Sequence, residues 1–509
     1  MKRVILFLFV LAAGFGLVQG TRAQTSDKIL GKYRKAIGGK AVARIRSTTV
    51  TGAFNNGDQA GAGRFTLTTA APDQVRLDLE GPGLVLSECY NGKSAWVRDH
   101  KGLRTLLGRE AKGLRLWAVL SNSRLRDLGR VRVFAQKVTA GSVGGKPASA
   151  VDFTFNDVSA KLFFDNSTGL LIKQERETAA GVEEILFDDY RRVDGVMEPF
   201  SIVVRRPDLN IAVVIEKVEH NTVADQARFR YPVMPGQRPL PDLESLMKSV
   251  ESNQERLEEL REQYTFRELE TENKLDGNGR TKETVVRAYD VTPVAGNFVK
   301  RLISEDGKEL SASDREKEDK RVQKEVEEAL KRREKERDRK ERDKDKDQSK
   351  DKDNDDDDIT ILTFLRISEI TSVRREQFRG QEVIAFDFEP KKGYKPRNRA
   401  ETIVSKLAGT VWVDEDAREI ARLEARLIDS FKLGGGVLAS IRPSTAFVFE
   451  QEKVDAEIWL PSYAEVNISA RVLLFAKLNR SATLRYSDYK KHHVDSDYKL
   501  EKPKSDSRP

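Results

Sequence analysis

The sequence predicts an α+β fold: two curved antiparallel half-barrel sheets, each wrapped around helices, with the second sheet interrupted by a charged helical insert. This expectation rests on a run of short strands at 162–204, a weaker copy of the run at 411–461, and a helical stretch ahead of the strands in each half. In the first run Asp165-Asn166-Ser167-Thr168-Gly169 is a turn, because Asn, Asp and Gly accept the positive φ that tight hairpins need. Further breaks fall at 178–181 and at Val193-Asp194-Gly195, after which Pro199 opens a strand where its missing N–H does little harm. In the copy Asp414 stands where Asp165 stood, Ile420 and Arg422 match Leu171 and Lys173, and Val454-Asp455 with Pro461 echo Val193-Asp194 with Pro199.

Residues 1–23 have the pattern of a secretory signal peptide: Lys2 and Arg3 precede an apolar run over 4–18, and Thr21 and Ala23 are placed for cleavage after Ala23. The alternative, an uncleaved anchor, is weaker, since the run falls short of the ~20 residues that a spanning helix needs. No Cys stands at the cleavage site to carry a lipid, so a periplasmic location is expected. The remaining chain exceeds the ~250–300 residues at which single cores stop growing. Two domains are therefore expected, 24–234 and 242–499, joined by a proline-rich linker at 235–241 and followed by a disordered tail at 500–509. The single cysteine, Cys89, lies in a predicted strand and can form no internal disulfide. A net charge of +8 is read first as plain solubility and second as peripheral contact with anionic lipid. Export argues against a nucleic-acid partner.

Taken in order, 26–37 has helical spacing with Leu30, Tyr33 and Ile37 on one face, Ser26 as N-cap and Gly38-Gly39 as stop. Strands follow at 48–54, 63–69, 74–80, 84–90 and 94–98; the clearest alternates Val75, Leu77 and Leu79 with Arg76, Asp78 and Glu80. A helix is predicted over 109–120, with Leu114, Trp117 and Leu120 along one stripe. Strands resume at 130–138, 149–155, the 162–204 run and 210–218, for about eleven in this half. The second half opens with a helix over 242–264 behind Asp242, then a hairpin at 264–275 and 281–291 around 276–279, and a strand at 298–304. Residues 314–358 hold 17 basic and 20 acidic side chains in 45 positions, too few apolar ones to bury. The segment is read as a solvated helix of about 29 residues, roughly 40 Å long, running into a disordered Lys-Asp tract. A docking arm or a calcium-attracting run at 355–358 is the alternative. The β pattern returns at 364–372, 381–389, 409–413, 419–429, 444–452, 463–475 and 482–489.

Motifs for chemistry are lacking. His100, His220, His492 and His493 share no metal-site spacing, and no GxSxG, HExxH or phosphate-binding loop occurs. Neighbours such as Asp188 and Asp189 face opposite sides of a strand and share no site. Neither an enzyme nor a cofactor or metal is expected. A curved sheet around helices either packs them tightly or leaves an apolar cavity suited to acyl ligands, whose burial is worth ~0.8 kcal/mol per CH₂. By alternation Val75, Leu77, Leu79, Val151, Phe153, Phe155, Ile185 and Phe187 face this interior, where Leu114 and Trp117 meet them.

The order of these elements, with PDQVRLDLEG, CYNGKSAWV, LFFDNSTGLLIK and DDYRRVDGVMEP, resembles the LolA/LolB-like fold of outer-membrane lipoprotein localisation factors, with the RseB/MucB group of envelope-stress regulators as a relative. The resemblance covers 27–232, and 242–498 more loosely, so that two tandem copies are expected. It implies a non-enzymatic periplasmic carrier of lipids or lipoprotein acyl chains. The alternative it implies is an envelope sensor that binds a protein partner. It also sets the protruding apolar loop of the receptor-type member against Gly81-Pro82-Gly83-Leu84, with Leu84 at the tip.

Overall fold

The computed structural model describes residues 25–55, 62–131, 133–178, 181–207, 209–222, 226–275, 281–344, 361–433, 439–443, 445–454, 458–472 and 476–491. The expected signal peptide, the turn at 276–279, the Lys-Asp tract beyond 344 and the tail lie outside the described residues. The chain forms two compact units, the first of residues 1–100 and 105–230, the second of 101–104 and 231–509.

In the first unit α1 (Ser26–Ala36) precedes β1 (Ser47–Asn55), β2 (Ala62–Ala70), β3 (Gln74–Gly81), β4 (Leu84–Tyr90), β5 (Ala95–Asp99) and β6 (Gly102–Leu106). Next come α2 (Gly108–Ser123), β7 (Phe134–Val143), β8 (Lys146–Phe155), β9 (Val158–Asp165), β10 (Leu171–Thr178), β11 (Gly181–Val193), β12 (Val196–Arg206) and β13 (Leu209–His220). They make one open sheet in the order β6-β5-β4-β3-β2-β1-β13-β12-β11-β10-β9-β8-β7. Thirteen strands thus stand where about eleven were expected. The strand with no counterpart among those expected is the short β6. The expected strand at 130 starts at Phe134 instead, because Leu128–Val131 winds into a 3₁₀ turn.

Local chemistry explains the turns. Asp165 Oδ1 accepts the N–H groups of Ser167 (2.8 Å) and Thr168 (2.7 Å), and Gly169 closes the turn at φ +80°. Gly38 follows α1 because a Cβ there would stand 2.4 Å from the carbonyl oxygen of Gly195. The residue ahead of α1 is Thr25, not Ser26, and its side chain makes no capping bond. Ile29, Leu30 and Tyr33 of α1 and Leu116, Val119 and Leu120 of α2 pack against Val151, Phe153, Phe155, Leu162 and Phe164 of the sheet.

The second unit repeats this plan. After α3 (Leu243–Arg261) come β14 (Tyr264–Leu275), β15 (Thr281–Val294), β16 (Asn297–Glu305), β17 (Lys308–Glu309) and the charged α4 (Ala312–Lys344). Then follow α5 (Ile361–Ile367), β18 (Ser368–Phe378), β19 (Gln381–Pro390), α6 (Arg399–Val404), β20 (Leu407–Asp414), β21 (Glu419–Leu427), β22 (Phe431–Leu433) and β23 (Ala439–Ile441). The last strands are β24 (Ala446–Val454), β25 (Ile458–Val472) and β26 (Ala476–Lys491). The order is β17-β16-β15-β14-β26-β25-β24-β21-β20-β19-β18, with the β22–β23 hairpin set against β25.

In each unit the last strand pairs with the first, β13 with β1 and β26 with β14, and six further strands lead outward from it to the edge. Asp414 ends β20 as Asp165 ends β9, and its Oδ1 likewise accepts two N–H groups, of Asp416 (3.0 Å) and Ala417 (2.8 Å). Pro461 lies in β25 as Pro199 lies in β12.

Three readings are corrected here. Residues 364–367, expected in a strand, are helical, because Phe364 and Leu365 pack with α3 onto β19 and Phe364 meets the Phe388 ring edge-on at 4.9 Å. The helix α6 was not expected; Asn398 caps it by accepting the Glu401 N–H. The insert helix is not only solvated surface. Glu318 accepts the backbone N–H of Leu302 on β16 (2.7 Å), Arg321 donates to the Lys300 carbonyl, and Ala329 is buried. The linker is also held down: Arg375 donates to the carbonyls of Arg238 (3.0 Å) and Pro239 (2.7 Å).

Candidate functional cavity

Between the sheet of the first unit and α2 lies a cavity of about 170 Å³. One buried water needs only ~10–15 Å³ measured this way, so the space is far larger than a packing defect. The strand period builds its walls. Val50 of β1, Phe65 and Leu67 of β2, Leu77 and Leu79 of β3 and Leu86 of β4 point inward from one half of the sheet. Ile185 and Phe187 of β11, Ile202 and Val204 of β12 and Leu209 and Ile211 of β13 do so from the other.

Two ion-pair clusters stand among these apolar walls. In the first, Arg124 at the end of α2 donates to both oxygens of Glu198 (3.1 and 2.9 Å), and His220 Nε2 lies 2.9 Å from the same carboxylate. Burial alone would raise the Glu198 carboxyl, but Arg124 and His220 outweigh it and hold it below the usual carboxylate range. Burial pushes the nearby Tyr33 phenol up to about 12, so it stays a neutral hydroxyl. In the second cluster Arg176 pairs with Glu183 and reaches Glu88 (3.5 Å), while Arg206 lies 3.5 Å from Glu183 and 3.6 Å from Glu88. The Arg176 guanidinium also sits 4.9 Å from the centre of the Trp117 ring. In both clusters every arginine and glutamate faces a partner of opposite charge, which is how charge can remain in an apolar interior. The first also reaches outward through Arg124 to Thr48 Oγ1 (3.3 Å) and through His220 Nδ1, 3.3 Å from Asp194.

The residues expected from sequence divide. Leu77, Leu79, Trp117, Ile185 and Phe187 line the cavity. Val151, Phe153 and Phe155 do not: their strand, β8, lies under α1 and α2, and they are packed solid there. Val75 and Leu114 are corrected likewise, being enclosed with Tyr90, Ala95 and Ala118. Leu84 is no loop tip. Pro82 and Gly83 alone make the turn, and Leu84 opens β4 opposite Gly81, half-buried against the core. Alternation could not have found Arg124, at a helix end, or Gln174, since it reads a polar residue as outward. Glu183 and Glu198 each had one signal: the first shares the parity of Ile185 and Phe187, the second that of Ile202 and Val204.

No family model matches the chain, and no curated protein sequence matches it. Among solved structures it is similar to a LolA superfamily protein from Nitrosomonas europaea, at 15% identity over 40% of this chain and 97% of that one, with a TM-score of 0.28. A DUF1329 family protein from Desulfovibrio piger matches at 14% identity over 40% of this chain and 96% of that one, TM-score 0.28. The MucA/MucB complex structure from Pseudomonas aeruginosa matches at 8% identity over 92% of this chain and 99% of that one, TM-score 0.16. The first and third of these belong to the groups that the sequence motifs resemble. At such scores the likenesses decide nothing about ligand or partner, and the architecture stands on its own strand order.

The second unit builds its corresponding strands from different residues. Val50 of β1 sits between Leu67 and Val218, whereas Glu268 of β14 sits between Tyr289 and Tyr486. Glu270 and Glu272 continue that row. Lys300 pairs with Glu268 (2.6 Å), Tyr289 donates to Glu270 (3.2 Å), and Arg287 and Arg480 flank Glu272. Such a surface offers little to an apolar ligand. Among the described residues no group of three His, Cys, Asp or Glu side chains is placed to hold a metal ion, and no helix is long and apolar enough to cross a membrane.

Proposed function

We propose that the protein is a non-enzymatic carrier or binder of lipid or lipoprotein acyl chains in the periplasm, and that the first unit holds them. One observation carries this reading: a cavity of about 170 Å³ whose walls are mainly Leu, Ile, Val and Phe side chains from both halves of the sheet. Native interiors leave few voids larger than a water, so a space of this size among apolar side chains is available for a ligand. Each CH₂ placed there is worth ~0.8 kcal/mol. The charged row of β14 leaves the second unit to a structural or partner-binding role.

Mass spectrometry of organic extracts from the purified protein tests the proposal, together with titration by a fluorescent hydrocarbon probe. Co-purifying lipid and saturable probe binding are expected. An extract free of lipid and a probe that stays dark would overturn it. A second reading, a protein partner taken on the helical arm, has one observation in its favour: α4 leaves Leu330 half exposed among charged residues.

A further inference from the structure

Gln174 of β10 lies in the cavity wall, between Leu162 on β9 and Ile185 on β11, one inward position from Arg176. It is 4% exposed, and its side-chain Nε2 has no hydrogen-bond partner. A buried amide normally finds one, because leaving it unpaired costs its full desolvation. Gln174 is one of the residues that line the cavity, so rotation about the last bond of its side chain can bring the donor to whatever fills that space.

The charged side chains on the same walls limit what that is. Arg124, Arg176 and Arg206 stand against Glu88, Glu183 and Glu198, three of each sign. Every arginine already faces a carboxylate: Arg124 faces Glu198, Arg176 faces Glu183, and Arg206 lies between Glu183 and Glu88. A ligand carboxylate would therefore enter as an unbalanced buried charge, or would have to displace one of these glutamates. An ester or amide carbonyl brings an acceptor and no charge.

Resting on the acyl-chain reading above, we infer that Gln174 is a ligand-binding residue whose side-chain N–H donates to the acyl carbonyl of a neutral ester or amide, and that the cavity selects such ligands over free fatty-acid anions. The carbonyl lies beside Gln174 and the chain runs along Ile185, Phe187 and Ile202. A glycerol ester and an N-acylated peptide both present this group.

Three probes with the same fluorescent chain test the inference: the methyl ester, the free acid and the plain hydrocarbon, titrated at about pH 8, where a carboxyl group is ionised. The full chain should bind the ester about tenfold more tightly than the acid. Gln174→Met and Gln174→Leu should weaken the ester about tenfold relative to the hydrocarbon, whose continued saturable binding shows that the variants are folded. An acylglycerol and an N-acylated peptide, used as competitors, then tell the two sources apart. If the hydrocarbon binds but ester and acid bind alike, or if both variants keep the preference for ester, the inference fails and the acyl-chain reading stands. If the hydrocarbon itself does not bind, both fail.

Discussion

Arg124, whose left-handed backbone (φ 48°) ends α2, donates to both carboxylate oxygens of Glu198 on β12, at 3.1 and 2.9 Å. The pair ties the helix to the sheet at the wall of the cavity, and Glu198 is 3% exposed. Removing only the arginine leaves this buried carboxylate with His220 alone. Arg124→Ala is therefore expected to cost about 3–5 kcal/mol in denaturant unfolding, whereas Arg124→Met combined with Glu198→Leu should cost much less. A loss below about 1 kcal/mol in the single variant would mean that water reaches Glu198.

The turn carboxylate Asp165 should give the first unit a defined acid response. Bonds from Ser167 and Thr168 lower it from 3.8 to about 2. A carboxyl depressed on folding stabilises above its unfolded value and loses that contribution as the pH falls through its folded one. Asp165→Ala should thus be less stable than the parent at neutral pH by about 1–2 kcal/mol. The gap should begin to close below about pH 4 and be nearly gone at about pH 2. A gap of constant size down to that pH would assign the effect to the hydroxyl contacts alone.

The charged arm contributes to stability through its first half. Glu318 and Arg321 occupy the Leu302 N–H and Lys300 C=O of β16, backbone groups that a further strand would otherwise take. Glu318→Ala should cost about 1 kcal/mol. Deletion of 316–355 should lower the melting temperature and promote self-association, read by light scattering. An unchanged melting temperature and a monodisperse deletion variant would return the arm to solvated surface.

Much of the architecture was legible, because turns and strand parity are local properties. Asp165 and Asp414 reveal the duplication before any strand is paired, since each needs only its next three residues to make its turn. Residues 364–367 misled because a short apolar run is the same for a buried helix and a strand, and only packing with α3 decides. The cavity was legible in part. Parity separates inward from outward and says nothing about which inward residues meet a helix; hence Val151, Phe153 and Phe155 were grouped with Leu77 and Leu79. Ion pairs such as Arg124 with Glu198 span 74 positions and leave no local mark.

The division between solid core and cavity can be tested by overfilling each. Leu77 borders the void, so Leu77→Trp has room to place its extra atoms there. Its stability should stay within about 1 kcal/mol of the parent while hydrocarbon-probe binding is lost. Val151 is fully buried under α1 and α2, so Val151→Trp should cost about 1–3 kcal/mol or more by forcing neighbours off their rotamers. Phe153→Ala should cost about 3–5 kcal/mol for the hole it leaves. Leu114→Glu places a charge in a packed contact with Trp117 and Ala118, and it should unfold the unit rather than merely empty it. Circular dichroism with urea titration measures the stabilities, and the probe reports the cavity. Equal destabilisation by Leu77→Trp and Val151→Trp would show that the walls close up in solution and leave no room for a chain.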